Sequence, residues 1–69
     1  MKLVVNGKEE IFDDNEISVS KLLVLKDVKL PQMVSVQLNG EFIQADEHES
    51  RMLKDGDNVE FLYFMGGGR

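Results

Sequence analysis

Apolar and polar residues alternate at both ends of the chain and in its middle, and once they fall into a helical stripe. Lys2-Leu3-Val4-Val5 alternates and is rich in β-branched residues, and Asn6-Gly7 behind it is the strongest short hairpin signal. A second strand is expected from about Glu9 to Asp13, with Leu3 and Val5 facing one side, Ile11 opposite them, and Val4 on the other face. After the polar Asp13-Asp14-Asn15-Glu16, the residues Val19, Leu22, Leu23 and Lys26 share one helical face that Ser18 can cap. Lys26 can lay its alkyl stem along the core and keep its ammonium in water. Pro31 is expected to close that segment, because the residue before a proline is pushed out of the α region. Met33 to Leu38 alternates strictly, with Val34, Val36 and Leu38 on the buried side, and Asn39-Gly40 turns the chain into Glu41-Phe42-Ile43. Ala45 to Met52 is charged and lacks alternation, a loop with one helical turn. Lys54-Asp55-Gly56-Asp57 is a tight turn feeding the most apolar strand, Val59 to Phe64.

Hairpin, helix, strand, short strand, turn and strand predict an α+β domain, one main helix packed on a mixed four- to five-stranded sheet. The order resembles the β-grasp, or ubiquitin-like, arrangement, in which the first and last strands lie adjacent and parallel at the centre. Residues 1–64 are read as that domain and 65–69 as a flexible glycine-rich C-terminal tail.

Composition narrows the functions such a domain can have. A 69-residue chain hides only about 60% of the surface its unfolded form exposes, which leaves little room for a deep substrate pocket. Thirteen acidic against eight basic residues give a net charge of −5, which repels phosphate backbones and argues against nucleic acid. Such a charge serves solubility, and it also suits a basic protein partner. Without cysteine there is no disulfide and no thiolate metal site, and with no long apolar run neither a membrane segment nor a signal peptide is expected, and a cytoplasmic location is. His48, the single histidine, sits in Asp46-Glu47-His48-Glu49, whose spacing is generic for a solvated loop, so no metal site is expected. Ser18, Ser20, Ser35 and Ser50 have no histidine near in sequence, and no catalytic residue is assigned.

The tail Met65-Gly66-Gly67-Gly68-Arg69 carries the remaining chemistry. Three successive glycines lose too much backbone entropy to hold a strand or helix, and their bare backbone passes through a narrow slot. Extended, the five residues reach roughly 16 to 18 Å. The tail is therefore either an arm whose terminal carboxylate reacts in another protein's active site or a plain frayed end. If Val59, Phe61 and Tyr63 face the helix, then Leu62 and Phe64 face away and, with Val4 and Met65, form an apolar partner patch at the root of the tail. The reversed register would put Leu62 and Phe64 inside, and the patch would alternatively serve as a dimer contact with no partner enzyme.

Val34-Ser35-Val36-Gln37-Leu38-Asn39-Gly40-Glu41, the turn Leu53-Lys54-Asp55-Gly56-Asp57, and Val59-Glu60-Phe61 through Phe64-Met65-Gly66-Gly67-Gly68 together resemble the ThiS-type sulfur carriers of thiamine (thiazole) biosynthesis, over essentially the whole chain. The resemblance implies a carrier, not an enzyme, with no bound cofactor. A ThiF-type, E1-like adenylyltransferase would use ATP to adenylate its C-terminal glycine, and sulfur would displace AMP to leave a thiocarboxylate. A ThiG-type thiazole synthase, or another sulfur-accepting synthase, would then take that sulfur. Family members typically end at glycine, so Arg69 is either removed by a protease or added in expression, which makes Gly68 the acceptor and Gly67 the fallback. The other readings are a sulfide carrier for cysteine, homocysteine or molybdopterin synthesis, a ubiquitin-type modifier, and an interaction module with an inert tail.

Overall fold

The computed structural model describes residues 1–63. Five strands, β1 (Lys2–Val5), β2 (Lys8–Ile11), β3 (Val34–Leu38), β4 (Glu41–Ile43) and β5 (Asn58–Tyr63), form one sheet in the order β2-β1-β5-β3-β4. β1 runs parallel to β5 and the other neighbours are antiparallel, so the first and last strands lie side by side and β5 is central. The helix α1 (Val19–Leu25) buries Val19, Leu22 and Leu23 against one face of the sheet. This is the β-grasp arrangement expected from the element order.

Both hairpins turn on Asn-Gly. Asn6 and Gly7 have φ of 52° and 83°, and Asn39 and Gly40 have 52° and 85°, the paired left-handed conformations that a two-residue turn needs to match the twist of its strands. Each asparagine also holds β5. Asn6 Oδ1 accepts a hydrogen bond from the Phe61 N–H at 2.8 Å, and Asn39 Oδ1 accepts from the Asn58 N–H at 2.9 Å. The turn residues therefore fix the position of the last strand as well as reversing the chain.

The first hairpin departs from the expected register. The second strand is Lys8–Ile11, and it is Glu10 that lies opposite Leu3, while Ile11 pairs with Lys2 and is exposed. A two-residue turn makes Lys8 the partner of Val5, and counting from there places Glu10 on the helix side. Glu10 is tolerated there because Lys26 comes down from α1 to pair with it. The Lys26 ammonium thus ends on a half-buried carboxylate, not in free water.

Ser18 caps α1 as expected, its hydroxyl accepting from the Lys21 N–H at 3.0 Å. The next two helical N–H groups, on Val19 and Ser20, donate to the carbonyls of Arg51 and His48. The charged loop therefore closes the helix N-terminus while Ile17 and Leu53 seal the core beneath it. The far end stops before the proline. Asp27 takes φ of 61°, and the Val28 and Asp27 N–H groups donate to the carbonyls of Leu23 and Val24, a left-handed C-terminal motif. Pro31 instead opens a 3₁₀ turn, Pro31–Met33, and a second such turn spans Ala45–Glu47. Among the described residues no helix is long and apolar enough to cross a membrane.

Candidate functional site

β5 delivers the chain to the edge of the described structure at Tyr63. Val59 and Phe61 are buried beneath α1, while Glu60 and Leu62 face away from it, which fixes the register of the strand. Leu62 is half-exposed and lies across from Ser35 of β3. Phe64, Met65, Gly66, Gly67, Gly68 and Arg69 lie outside the described residues.

Two of the patch expectations change. Val4 is on the same outer face as Leu62 but is not beside it. Its partners are Glu9 and Asn58, and four residues of strand, roughly 13 Å at about 3.3 Å per residue, separate Asn58 from Leu62. Glu60 comes between them. Tyr63 belongs to the helix side but is exposed, because a seven-residue helix is only about 10 Å long and ends before β5 does. The 27–33 connection lies there instead, and Asp27, Leu30, Met33 and Tyr63 line an open hollow of about 350 Å³.

Among the exposed apolar residues that the sequence did not single out, three bear on the end of β5. Phe42 lies opposite Gln37, which in turn pairs with Glu60, so it stands on the outer face two strands over from β5. The two-residue turn at Asn39-Gly40 already implied this, since pairing Val36 with Ile43 leaves Phe42 pointing outward. Leu30 and Met33, exposed on the helix side, carried no such signal because they lie in irregular chain. The end of β5 therefore has an apolar border on both faces, Leu62 on one and Tyr63, Leu30 and Met33 on the other.

The rest of the surface offers little reactivity. Ser20 and His48, distant in sequence, line one hollow of about 330 Å³, yet the buried His48 Nε2 has no hydrogen-bond partner and so does not activate Ser20 as a base would. Among the described residues no three histidine or carboxylate side chains group as metal ligands. Asp14 is held below the usual carboxylate range, chiefly by a hydrogen bond from Lys21 at 2.8 Å and then by that ammonium's charge, on an exposed loop. The outer face bears Glu60 and Glu9, the latter 3.9 Å from Lys2 in a solvent-exposed pair.

Comparison with known proteins gives a consistent answer. The model of the ThiS family matches residues 2–68. The crystal structure of the thiamine biosynthesis protein ThiS from Geobacter metallireducens superposes with a TM-score of 0.88 at 45% identity, covering 99% of this chain and 100% of that one. The solution structure of a thiamine biosynthesis protein from the same organism gives 0.83 at 44%, covering 100% of this chain and 90% of that one. Among curated proteins, a thiazole synthase of Paramagnetospirillum magneticum is 35% identical over 68 residues, 99% of this chain. The chain spans only 20% of the length of that relative.

Proposed function

The chain belongs to the ThiS family, and from that premise we propose that it is a sulfur carrier of thiamine biosynthesis that works through a glycine carboxylate at the end of its tail. The observation that carries this reading is the family match through residue 68, which takes in the three glycines and leaves only Arg69 beyond it. Gly68 is the acceptor residue, Gly67 the fallback, and a protease removes Arg69 to expose the carboxylate.

A carboxylate is a poor acyl donor. A ThiF-type adenylyltransferase lets its oxygen attack the α-phosphorus of ATP, releasing pyrophosphate and leaving an acyl-adenylate. A sulfur nucleophile then attacks the acyl carbon, the bond to AMP breaks, and the chain ends in a thiocarboxylate. The carrier contributes no catalytic side chain to these steps. Its part is reach and steric permissiveness, because glycine backbone threads a slot that any side chain would block. The acceptor is a ThiG-type thiazole synthase, a reading supported by the curated relative of that name.

Intact-mass measurement tests this directly. Protein trimmed to Gly68, incubated with ATP, the host's adenylyltransferase and a sulfur source, should gain roughly 16 Da, the exchange of one oxygen for sulfur. The same incubation with Arg69 left in place should give no gain. A trimmed protein that no nucleotide-dependent ligase of its host activates would end the proposal.

A further inference from the structure

The helix side of the tail's root holds a surface that the sulfur-carrier reading does not use. The hollow lined by Leu30, Met33 and Tyr63 shares Val28 with the one lined by Leu23, Val24, His48 and Glu49, so the two form one trough along the open flank of α1. Its apolar walls face solvent: Val24 is 75% exposed, Leu30 57% and Tyr63 58%. A helix normally turns its polar side outward, and α1 instead presents Val24 and Leu25 there. Apolar residues left open in this way mark interaction surfaces.

What covers the trough follows from where the chain goes next. Tyr63 forms one end of it, and the five residues from Phe64 to the proposed terminal Gly68 reach at most about 18 Å. An enzyme holding the terminal group must therefore sit against the end of β5, and on the helix side that means against this trough. In the carrier reading proposed above, one such enzyme is needed whichever acceptor follows, the one that activates the carboxylate with ATP. The charges state its complement. At the Tyr63 end Lys29 and Asp27 pair with each other at 3.1 Å, whereas the opposite end carries Glu49, next to Asp46 and Glu47 of the same loop.

We propose that this trough seats an apolar segment of the carboxylate-activating enzyme, with a lysine or arginine of that segment over Glu49. The proposal rests on the carrier reading above. It places an enzyme contact on the helix face, opposite the Leu62 face.

Steady-state activation kinetics of the Gly68-terminated protein, followed as ATP-dependent pyrophosphate release with the host's activating enzyme, test it. Val24→Ser with Leu30→Ser replaces two exposed side chains and should raise KM for the carrier about tenfold while kcat stays within about twofold. Glu49→Lys, which leaves the apolar walls intact, should raise KM about threefold at low salt and flatten its dependence on ionic strength. Unchanged KM in both variants overturns the proposal. So does a concentration-dependent dimer that the double variant abolishes with KM unchanged, since the trough would then be a contact between copies. If the unsubstituted trimmed protein releases no pyrophosphate, the carrier reading itself fails and the proposal with it.

Discussion

The two ends of β5 are built on opposite principles. At the Asn58 end every neighbour holds the strand. Asn39 exchanges backbone and side-chain hydrogen bonds with Asn58, and Asp57 receives the Val4 N–H and the Asn39 amide. Asn6 takes the Phe61 N–H, and Val59 is fully buried. The next two residues, Leu62 and Tyr63, pair among the described residues with β3 alone, because β1 has already turned away at Asn6-Gly7, and both are largely exposed. A strand clamped at one end and bare at the other turns binding into position. Whatever grips Leu62 or Tyr63 holds the start of the tail in a fixed place relative to the fold, because the clamp leaves β5 no freedom to slide. The hydrophobic residues at the bare end contribute little to folding, and their exposure fits the partner contact proposed above.

The largest effect that could break this contrast comes from adjacent residues. Phe61→Ala removes a buried aromatic from under α1 and should cost about 3 to 5 kcal/mol, enough to leave a domain of this size mostly unfolded at 37 °C. Leu62→Ala, one residue on, should change stability by less than about 0.5 kcal/mol. Urea titration of both variants measures the difference. A loss at Leu62 approaching that at Phe61 would show that the outer face is covered within the monomer and is not a binding surface.

The clamps come next. Asn39→Ala deletes the acceptor of the Asn58 N–H and asks alanine to adopt φ near 52°, so about 2 kcal/mol should be lost. Asn6→Gly separates the two contributions, since glycine takes the turn conformation freely and only the bond to Phe61 disappears. About 1 kcal/mol should go there, read from the same titration. Equal costs for Asn6→Gly and Asn6→Ala would mean that the side-chain bond, not the turn, is what matters.

Most of the clamped end was legible in the sequence, and most of the bare end was not. Asn-Gly dipeptides announce their turns, and strict alternation in Val34–Leu38 gave the buried face directly. Register was harder. Ile11 looked like a core residue by its chemistry, yet the turn count puts Glu10 inside, and only the arrival of Lys26 from the helix explains why a carboxylate is tolerated there. Pro31 marks a stop in the sequence, but Asp27 ends the helix before it in the left-handed conformation that glycine usually supplies, which leaves no signal. The exposure of Tyr63 depends on the helix being shorter than the strand it covers. That length was set by Asp27 and not by the hydrophobic stripe.

On function, Leu62→Ser should leave folding intact and raise the activating enzyme's KM for the trimmed protein by about fivefold, with kcat little changed. Val4→Ser serves as its control, because Val4 lies level with Asn58 and well away from the tail's root. A KM increase at Val4 equal to that at Leu62 would mean that the partner covers the whole outer face, and the contrast between the two ends of β5 would lose its functional meaning.

The smallest effect concerns the backbone beside the bare end. Asp27 holds φ of 61° to close α1, a conformation that costs a residue with a side chain about 1 kcal/mol relative to glycine, and among the described residues its only side-chain partner is the exposed Lys29. That pair contributes little in solvent. Asp27→Gly should therefore stabilise the domain by about 0.5 to 1 kcal/mol and raise its melting temperature by a few degrees, measurable by calorimetry. Asp27 also lines the hollow at Tyr63, so the gain would show that a residue suboptimal for folding sits beside the proposed docking surface. A destabilised Asp27→Gly would mean instead that the carboxylate supports the 27–33 connection, making the bare end as deliberately braced as the clamped one.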